Sequence, residues 1–85
     1  MKPEDVRKEY TRRAKKEIEA FNEPLKSRIK EAIKNLPEGD VKRLSATRKL
    51  YRLRVGDYRV IFEKITKEKI IVSGIAPRGQ VYKGV

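Results

Sequence analysis

The sequence contains no cysteine and no histidine. The lack of thiols and imidazoles excludes disulfides, zinc sites of the Cys/His kind and any catalytic pair in which histidine activates serine or cysteine. We accordingly expect no metal and no cofactor. No apolar run approaches the roughly 20 residues of a membrane span, and no apolar signal-peptide core follows Met1. Together with the lack of cysteine, these features predict a cytoplasmic protein that does not contact a membrane.

Acidic residues are scarce relative to basic ones, at 12 against 23, and the net charge is +11. A chain this basic binds polyanions at moderate salt. Residues 1–36 have a net charge of +4 with both signs interleaved, as on a solvated helix, whereas residues 37–85 have +7. Six basic residues and no acid lie between Val41 and Gly56. Outside the strand arginines considered below, the candidate nucleic-acid-binding residues are Lys42, Arg43, Arg48, Lys49 and Lys83.

The first half of the chain predicts two amphipathic helices. Apolar residues recur at helical spacing from Ala14 to Leu25, and again from Leu25 to Leu36. The segment Asn22-Glu23-Pro24 separates them, because proline is tolerated only in the first turn of a helix. Pro37-Glu38-Gly39-Asp40 ends the second. Such a helical hairpin must bury its apolar stripes on another element.

The first ten residues fit either a helix or a strand. Val6, Tyr10 and Ala14 have a spacing that would extend the first helix backward, and local propensity favours this interpretation. A helix that begins after Thr11, with its side chain as N-cap, would leave the run from Val6 as a short, charged edge strand. The residues alone leave both open.

From Lys49 the apolar period changes to two, which predicts strands. Residues 51–55 and 58–62 alternate around Gly56-Asp57, a pair suited to a two-residue hairpin turn. A second connection near 66–68 leads to the apolar run 70–75, as expected of a strand covered on both sides. The order helix, helix, strand, strand, strand predicts one α+β domain over residues 1–85. In it, a small antiparallel sheet packs against the N-terminal helical hairpin.

The predicted hairpin places arginines on the face that points away from the helices. With a two-residue loop, Arg54 pairs with Arg59 and Arg52 lies opposite Ile61. Like charges directly opposite each other destabilise a sheet by about 0.2–1 kcal/mol. The face is therefore either simply solvated and screened by salt, or a phosphate site, since guanidinium groups make bidentate contacts with phosphate oxygens.

The C-terminal segment adds further candidates. Pro77 and Gly79 bracket Arg78 in a bend after the last predicted strand, and Tyr82 follows. A tyrosine near a chain end is usually a packing residue, but beside arginines it can also stack on a base or share a proton.

The segments LYRLRVGDYRVIF and IAPRGQVYK, behind a basic helical hairpin, resemble the RelE/ParE toxin superfamily of toxin–antitoxin systems. The resemblance covers Tyr10 to Lys83. It implies a RelE-like fold, in which two N-terminal helices back a small antiparallel sheet and a short first strand makes that sheet mixed. On this ground we expect a strand near Val6–Thr11, although Lys8 occupies a position where that strand usually has an apolar residue.

The resemblance also implies a function. RelE-type members are endoribonucleases that cut messenger RNA in the ribosomal A site, whereas ParE-type members lack that site and inhibit DNA gyrase. Carried over by motif, the RelE-type catalytic residues are Arg52, Arg54, Arg59, Arg78 and Tyr82. Their coincidence with the arginine face favours a metal-independent mRNA interferase. The alternatives are a ParE-like gyrase inhibitor and a non-catalytic RNA-binding protein.

Two further expectations follow from the resemblance. Some family members have lysine where this chain has Arg52 and Arg54, and arginine is a poor base. The proton acceptor therefore stays open between Tyr82, Lys49 and the ribosomal RNA. The partners implied are the ribosome, its message and a small acidic antitoxin resembling RelB, which would cover the helical hairpin or the arginine face.

Overall fold

The computed structural model describes residues 2–44 and 49–77. In these ranges the elements are β1 (Arg7–Tyr10), α1 (Arg12–Glu19), α2 (Leu25–Lys34), β2 (Val41–Arg43), β3 (Leu50–Val55), β4 (Tyr58–Thr66) and β5 (Lys69–Pro77). The strands form one sheet in the order β1-β5-β4-β3-β2. β1 is parallel to β5, and the other neighbours are antiparallel. The predicted α+β class, with a sheet that an N-terminal strand makes mixed, is confirmed.

The N-terminal segment is a strand, as the family resemblance implied, and not the helix that local propensity favours. The Thr11 side chain accepts a hydrogen bond from the Ala14 N–H (3.1 Å) and caps α1, so the helix cannot extend back into β1. Lys8, at the apolar position of this strand, donates its Nζ to the carbonyl oxygens of Pro3 (2.6 Å) and Lys34 (2.8 Å). Partial burial lowers the pKa of the Lys8 ammonium. A lysine thus satisfies a free carbonyl at the end of α2.

β2 corrects the predicted element order, which has no strand between the helices and the first hairpin. This three-residue strand pairs antiparallel with β3, with Lys42 opposite Arg52. Gly39 precedes it with a φ of 120°, and a Cβ there would lie 2.9 Å from Leu53 Cδ1. A residue without a side chain therefore lets the chain turn close against β3. Three residues are too few to display a period of two, and so the pattern gives no signal here.

One face of the sheet forms the core with the helical hairpin. Its buried members come from both helices, from β3, β4 and β5, and from the segments just before β1 and just after α2: Val6, Ala14, Ile18, Ile29, Ile33, Leu36, Leu53, Val55, Val60, Phe62, Ile70, Val72 and Ile75. Tyr51 and Tyr58 pack against this cluster. The predicted helix-facing side of the first hairpin is therefore confirmed, and the intervening residues of β3 and β4 lie on the opposite face.

An irregularity in the β4–β5 ladder brings α1 into contact with β5. Ile61 pairs with Gly74 but Phe62 pairs with Val72, which leaves one extra residue in β5. Just beyond this bulge, the Ile75 N–H donates to Glu17 Oε1 of α1 at 2.8 Å. The carboxylate thereby satisfies a partly buried backbone donor and fixes the helix to the sheet.

Glu17→Ala is expected to lower the free energy of unfolding by about 1–3 kcal/mol, because the Ile75 N–H loses its acceptor. Glu17→Gln should cost less, since its amide oxygen can still accept. The exposed Glu31 of α2 provides the matched control in urea denaturation. An equal loss in Glu31→Ala would contradict this account.

Candidate functional site

The face of the sheet opposite the helices carries basic side chains on three neighbouring strands. The pairs Lys42–Arg52 and Arg54–Arg59 lie directly opposite each other in the β2–β3 and β3–β4 ladders. Arg52 lies opposite Ile61 across the β3–β4 ladder. The predicted hairpin register is therefore confirmed. We call Lys42, Arg52, Arg54 and Arg59 the cationic face.

Two arginines of the β3–β4 hairpin, Arg54 and Arg59, lack a carboxylate partner among the described residues. Arg59 is the more buried of the two. Its side chain is half-buried, and its Nη1 atom is shielded from solvent without a hydrogen-bond partner among the described residues. Buried charged donors in proteins are normally paired, because an unsatisfied one carries its full desolvation cost. A phosphate oxygen would supply the acceptor that Nη1 lacks if the groups that shield this atom move aside on binding.

Arg54, across the ladder from Arg59, is exposed and makes no hydrogen bond or ion pair through its side chain with the described residues. Two guanidinium groups thus stand opposite each other with no carboxylate bound to either in this part of the chain. Their mutual repulsion weakens the ladder by a few tenths of a kcal/mol to about 1 kcal/mol. An anion bound between them would convert that repulsion into two attractive contacts.

Arg52 differs from both neighbours because it has an anionic partner. Its Nη1 lies 3.4 Å from Asp40 Oδ1 and donates to the Asp40 carbonyl oxygen at 3.2 Å. The Arg52 side chain is only 16% exposed. The same Asp40 carbonyl accepts the Arg54 N–H at 3.0 Å, so this residue joins the loop before β2 to two consecutive outward positions of β3.

Some charges of the helical hairpin, by contrast, are paired with each other. Glu19 lies 2.7 Å from Lys26 Nζ and 3.3 Å from Lys30 Nζ, and hydrogen bonds from these two ammonium groups lower the pKa of Glu19. Arg13 and Glu17 form an i,i+4 pair at 3.3 Å. The interleaved charges predicted for the first half therefore form some ion pairs on the helical surface, whereas Arg54 and Arg59 of the sheet have no carboxylate partner among the described residues.

The structure brings together only some of the predicted site residues. Arg43 pairs with Tyr51 and therefore projects toward the helix side, away from the cationic face. Lys49 precedes β3 at the far end from the turn, about 16 Å along the strand from Arg54. The remaining candidates lie outside the described residues: Arg48, Arg78, Tyr82 and Lys83.

The sequence pattern indicates Asp40 only as part of a helix stop and does not predict its contact with Arg52. The sequence does carry one signal for this residue, because Asp40 is the last acid before the basic stretch 41–56. Its contact with Arg52 depends on β2, which the apolar period does not reveal.

A further finding concerns the helices: within the described ranges, none is long and apolar enough to cross a membrane.

Comparisons with known proteins agree with this fold. Residues 9–82 match the family model described as the ParE toxin of the type II toxin–antitoxin system parDE. A chain of the archaeal RelE–RelB complex from Pyrococcus horikoshii OT3 is 25% identical with a TM-score of 0.71, covering 91% of this chain and 99% of that one. For the RelB–RelE antitoxin–toxin complex from Methanococcus jannaschii the identity is 21% and the TM-score 0.66, covering 81% and 88%. A search of curated proteins found no match. Because the family model spans most of the sequence, the chain belongs to the ParE toxin family of type II toxin–antitoxin systems, within the RelE/ParE superfamily that the motifs resemble.

Proposed function

We propose that this toxin is a ribosome-dependent endoribonuclease that cleaves messenger RNA and thereby inhibits translation. The observation that supports this most directly is the buried Nη1 of Arg59, which has no partner within residues 2–44 and 49–77, opposite the exposed Arg54. Two guanidinium groups that face each other can bind one phosphate group between them through bidentate contacts. A toxin that acts only by covering a protein target has no need for such a pair.

The proposed reaction is attack of a ribose 2′-OH on the adjacent phosphate. The substrate supplies the nucleophile, so the protein needs only to impose in-line geometry, stabilise the charge on the phosphorane and assist proton transfers. Arg54 and Arg59 hold the phosphate and stabilise that charge. Arg78 assists the leaving 5′-oxygen, and Tyr82 orients a base or the attacking hydroxyl, as the family resemblance implies. The proton acceptor is Tyr82, Lys49 or a group of the ribosomal RNA.

The test is incubation of the protein with translating ribosomes, followed by primer extension on the message. New 5′ ends should appear with the wild type and decline by at least tenfold with Arg54→Ala, which removes one of the two phosphate ligands. Naked message in the same buffer should be cut far less, because the ribosome orients the substrate. Absence of new 5′ ends on ribosomes, or undiminished cleavage by Arg54→Ala, would contradict the proposal.

A second candidate function is inhibition of DNA gyrase, which the match to the ParE toxin model favours. It requires a protein-binding surface and no phosphate ligands. A supercoiling assay separates the two: gyrase inhibition that survives replacement of both Arg54 and Arg59 by alanine would support it. If the protein binds RNA with steep salt dependence but neither cleaves it nor inhibits gyrase, it is a non-catalytic RNA-binding protein.

We also propose an acidic antitoxin as the partner. Both solved structures compared above are complexes of a toxin with its antitoxin. This chain has a net charge of +11, which an acidic partner would neutralise. Co-purification of the tagged toxin from its native operon should recover a small acidic protein, and its absence would count against this proposal.

A further inference from the structure

Asp40 is an acid at the edge of the cationic face, on a side of the sheet that also carries Leu50, Ile61 and Glu63. It directly precedes β2, and its carbonyl extends the β2–β3 ladder by accepting the Arg54 N–H at 3.0 Å. Because Val41 pairs with Leu53 and faces the core, Asp40 lies beside Arg54 on the outward side. A carboxylate in this place weakens the binding of any phosphate nearby through repulsion.

Stability alone does not explain this acid. The contact between Arg52 Nη1 and Asp40 Oδ1 is 3.4 Å long, and the Asp40 side chain is 59% exposed. The Arg52 side chain is largely enclosed, but an ion pair of this length with a solvated carboxylate contributes only modestly to folding. The contact instead restricts the orientation of the guanidinium, because the carboxylate and the carbonyl oxygen of Asp40 both accept from one nitrogen of Arg52, Nη1. Nη1 is the only nitrogen of this guanidinium with a hydrogen bond to the described residues.

We propose that Asp40 is a positioning residue, which orients the Arg52 guanidinium so that its Nε and Nη2 edge is available to a second RNA phosphate. This inference rests on the proposed RNA substrate of the same face. Arg59 and Arg54 hold the scissile phosphate, and Arg52 binds the neighbouring one with a fork whose orientation is set in advance. The turn at Gly39 supports this arrangement, because its positive φ places Asp40 against β3.

The experiment compares Asp40→Asn with Asp57→Asn in the full-length protein. Asp57 lies in the exposed β3–β4 turn and has no ion pair among the described residues, so its replacement makes the same change in charge without touching Arg52. Asn keeps the shape of the side chain and the carbonyl contact of residue 40, but its neutral amide oxygen is a weaker acceptor for Arg52 Nη1 than the carboxylate. Arg52→Gln is combined with each variant, and thermal unfolding is measured for all of them.

Two measurements are made on each protein. The first is the single-turnover cleavage rate on programmed ribosomes at saturating toxin. The second is the affinity for a short, labelled 2′-O-methyl oligoribonucleotide, which binds but cannot be cut. Asp40→Asn should lower the cleavage rate about five- to tenfold and should weaken the affinity below that of Asp57→Asn, because the Arg52 fork is no longer held toward the second phosphate. Asp57→Asn should leave the rate unchanged. Adding Asp40→Asn to Arg52→Gln should cause no further loss, because the residue that Asp40 positions is already absent.

Equal cleavage rates for Asp40→Asn and Asp57→Asn would overturn the inference. A full additional loss on top of Arg52→Gln would do the same, because Asp40 would then act independently of Arg52. If the wild type cleaves nothing, the proposed function fails, and the oligoribonucleotide decides the role of Asp40 separately. Arg52→Gln should then weaken binding in the wild-type and Asp57→Asn backgrounds but much less in Asp40→Asn; an equal effect in all three would refute positioning.

Discussion

Arg59→Ala is expected to lower ribosome-dependent cleavage by about 10²–10³-fold, the effect of removing one charge-stabilising donor from a catalytic site. The Arg59 guanidinium is half-buried and its Nη1 has no acceptor among the described residues. The group is therefore already partly desolvated before the substrate arrives. Its loss removes transition-state stabilisation that no other described side chain is placed to replace.

The same substitution should leave the fold intact. Removal of an unsatisfied buried donor and of one partner of a like-charge pair takes away two unfavourable contributions, so the free energy of unfolding should stay within about 0.5 kcal/mol of the wild type or rise. A protein that is folded but inactive is the expected result. It is measured by urea denaturation and by primer extension on the same preparation.

Two control variants separate site chemistry from net charge. Arg12→Ala on α1 removes an exposed arginine remote from the sheet face, and it should change cleavage less than about threefold through long-range electrostatics alone. Arg59→Lys keeps the charge but loses the planar fork, so it should recover only part of the rate. Equal losses in Arg59→Ala and Arg12→Ala would contradict a phosphate site at Arg59.

The part of the fold that the sequence predicted well is the part in which local pattern and tertiary structure agree. The alternation on both sides of Gly56-Asp57 predicts β3, β4 and their register, because a two-residue turn leaves one pairing that puts all apolar residues on one face. Thr11 and Pro24 likewise mark where the helices begin. These elements depend on neighbours that are close in the chain.

The edge strands β1 and β2 could not be predicted from local sequence pattern in this way. β1 pairs in parallel with β5, about 60 residues later, and its inward-facing Lys8 is satisfied by carbonyl groups of Pro3 and α2. An apolar period cannot report a position at which a lysine is acceptable only because of those distant carbonyls. Only the resemblance to a known family predicts that β1 is a strand. Neither the sequence pattern nor the resemblance predicts β2.

The candidate site, like the fold, has features that local sequence pattern predicts and features that depend on tertiary structure. Register predicts that Arg54 and Arg59 oppose each other, and the structure confirms this pairing. Register does not predict that Nη1 of Arg59 is enclosed, or that Arg52 contacts Asp40. Both depend on how the loop before β2 and the neighbouring strands close around the side chains. The division of the cationic face into unpaired and paired arginines is therefore information that only the structure supplies.

Phe62→Ala is the second large effect, and we expect it to abolish toxicity by a different route. Phe62 is fully buried and stacks on Tyr51, with ring centroids 5.6 Å apart, while Lys64 Nζ lies 4.4 Å from the centre of the Tyr51 ring. Removal of a buried aromatic ring lowers the free energy of unfolding by about 3–5 kcal/mol. Total stability is of the order of 4–13 kcal/mol for a domain of this length, so much of it is lost.

Phe62 and Arg59 lie on the same strand but on opposite faces, which makes the two losses distinguishable. Phe62→Ala leaves the outward guanidinium groups in place in every molecule that folds, so cleavage per folded molecule should stay near the wild-type value. Toxicity should fall because the cellular level of folded protein falls, and it should return in part at lower growth temperature or with Phe62→Leu, which leaves a smaller cavity. Arg59→Ala should recover under neither condition. If Phe62→Ala loses less than about 1 kcal/mol of stability, or its folded fraction cleaves as slowly as Arg59→Ala, the separation of a supporting face from a reactive face on β4 is wrong.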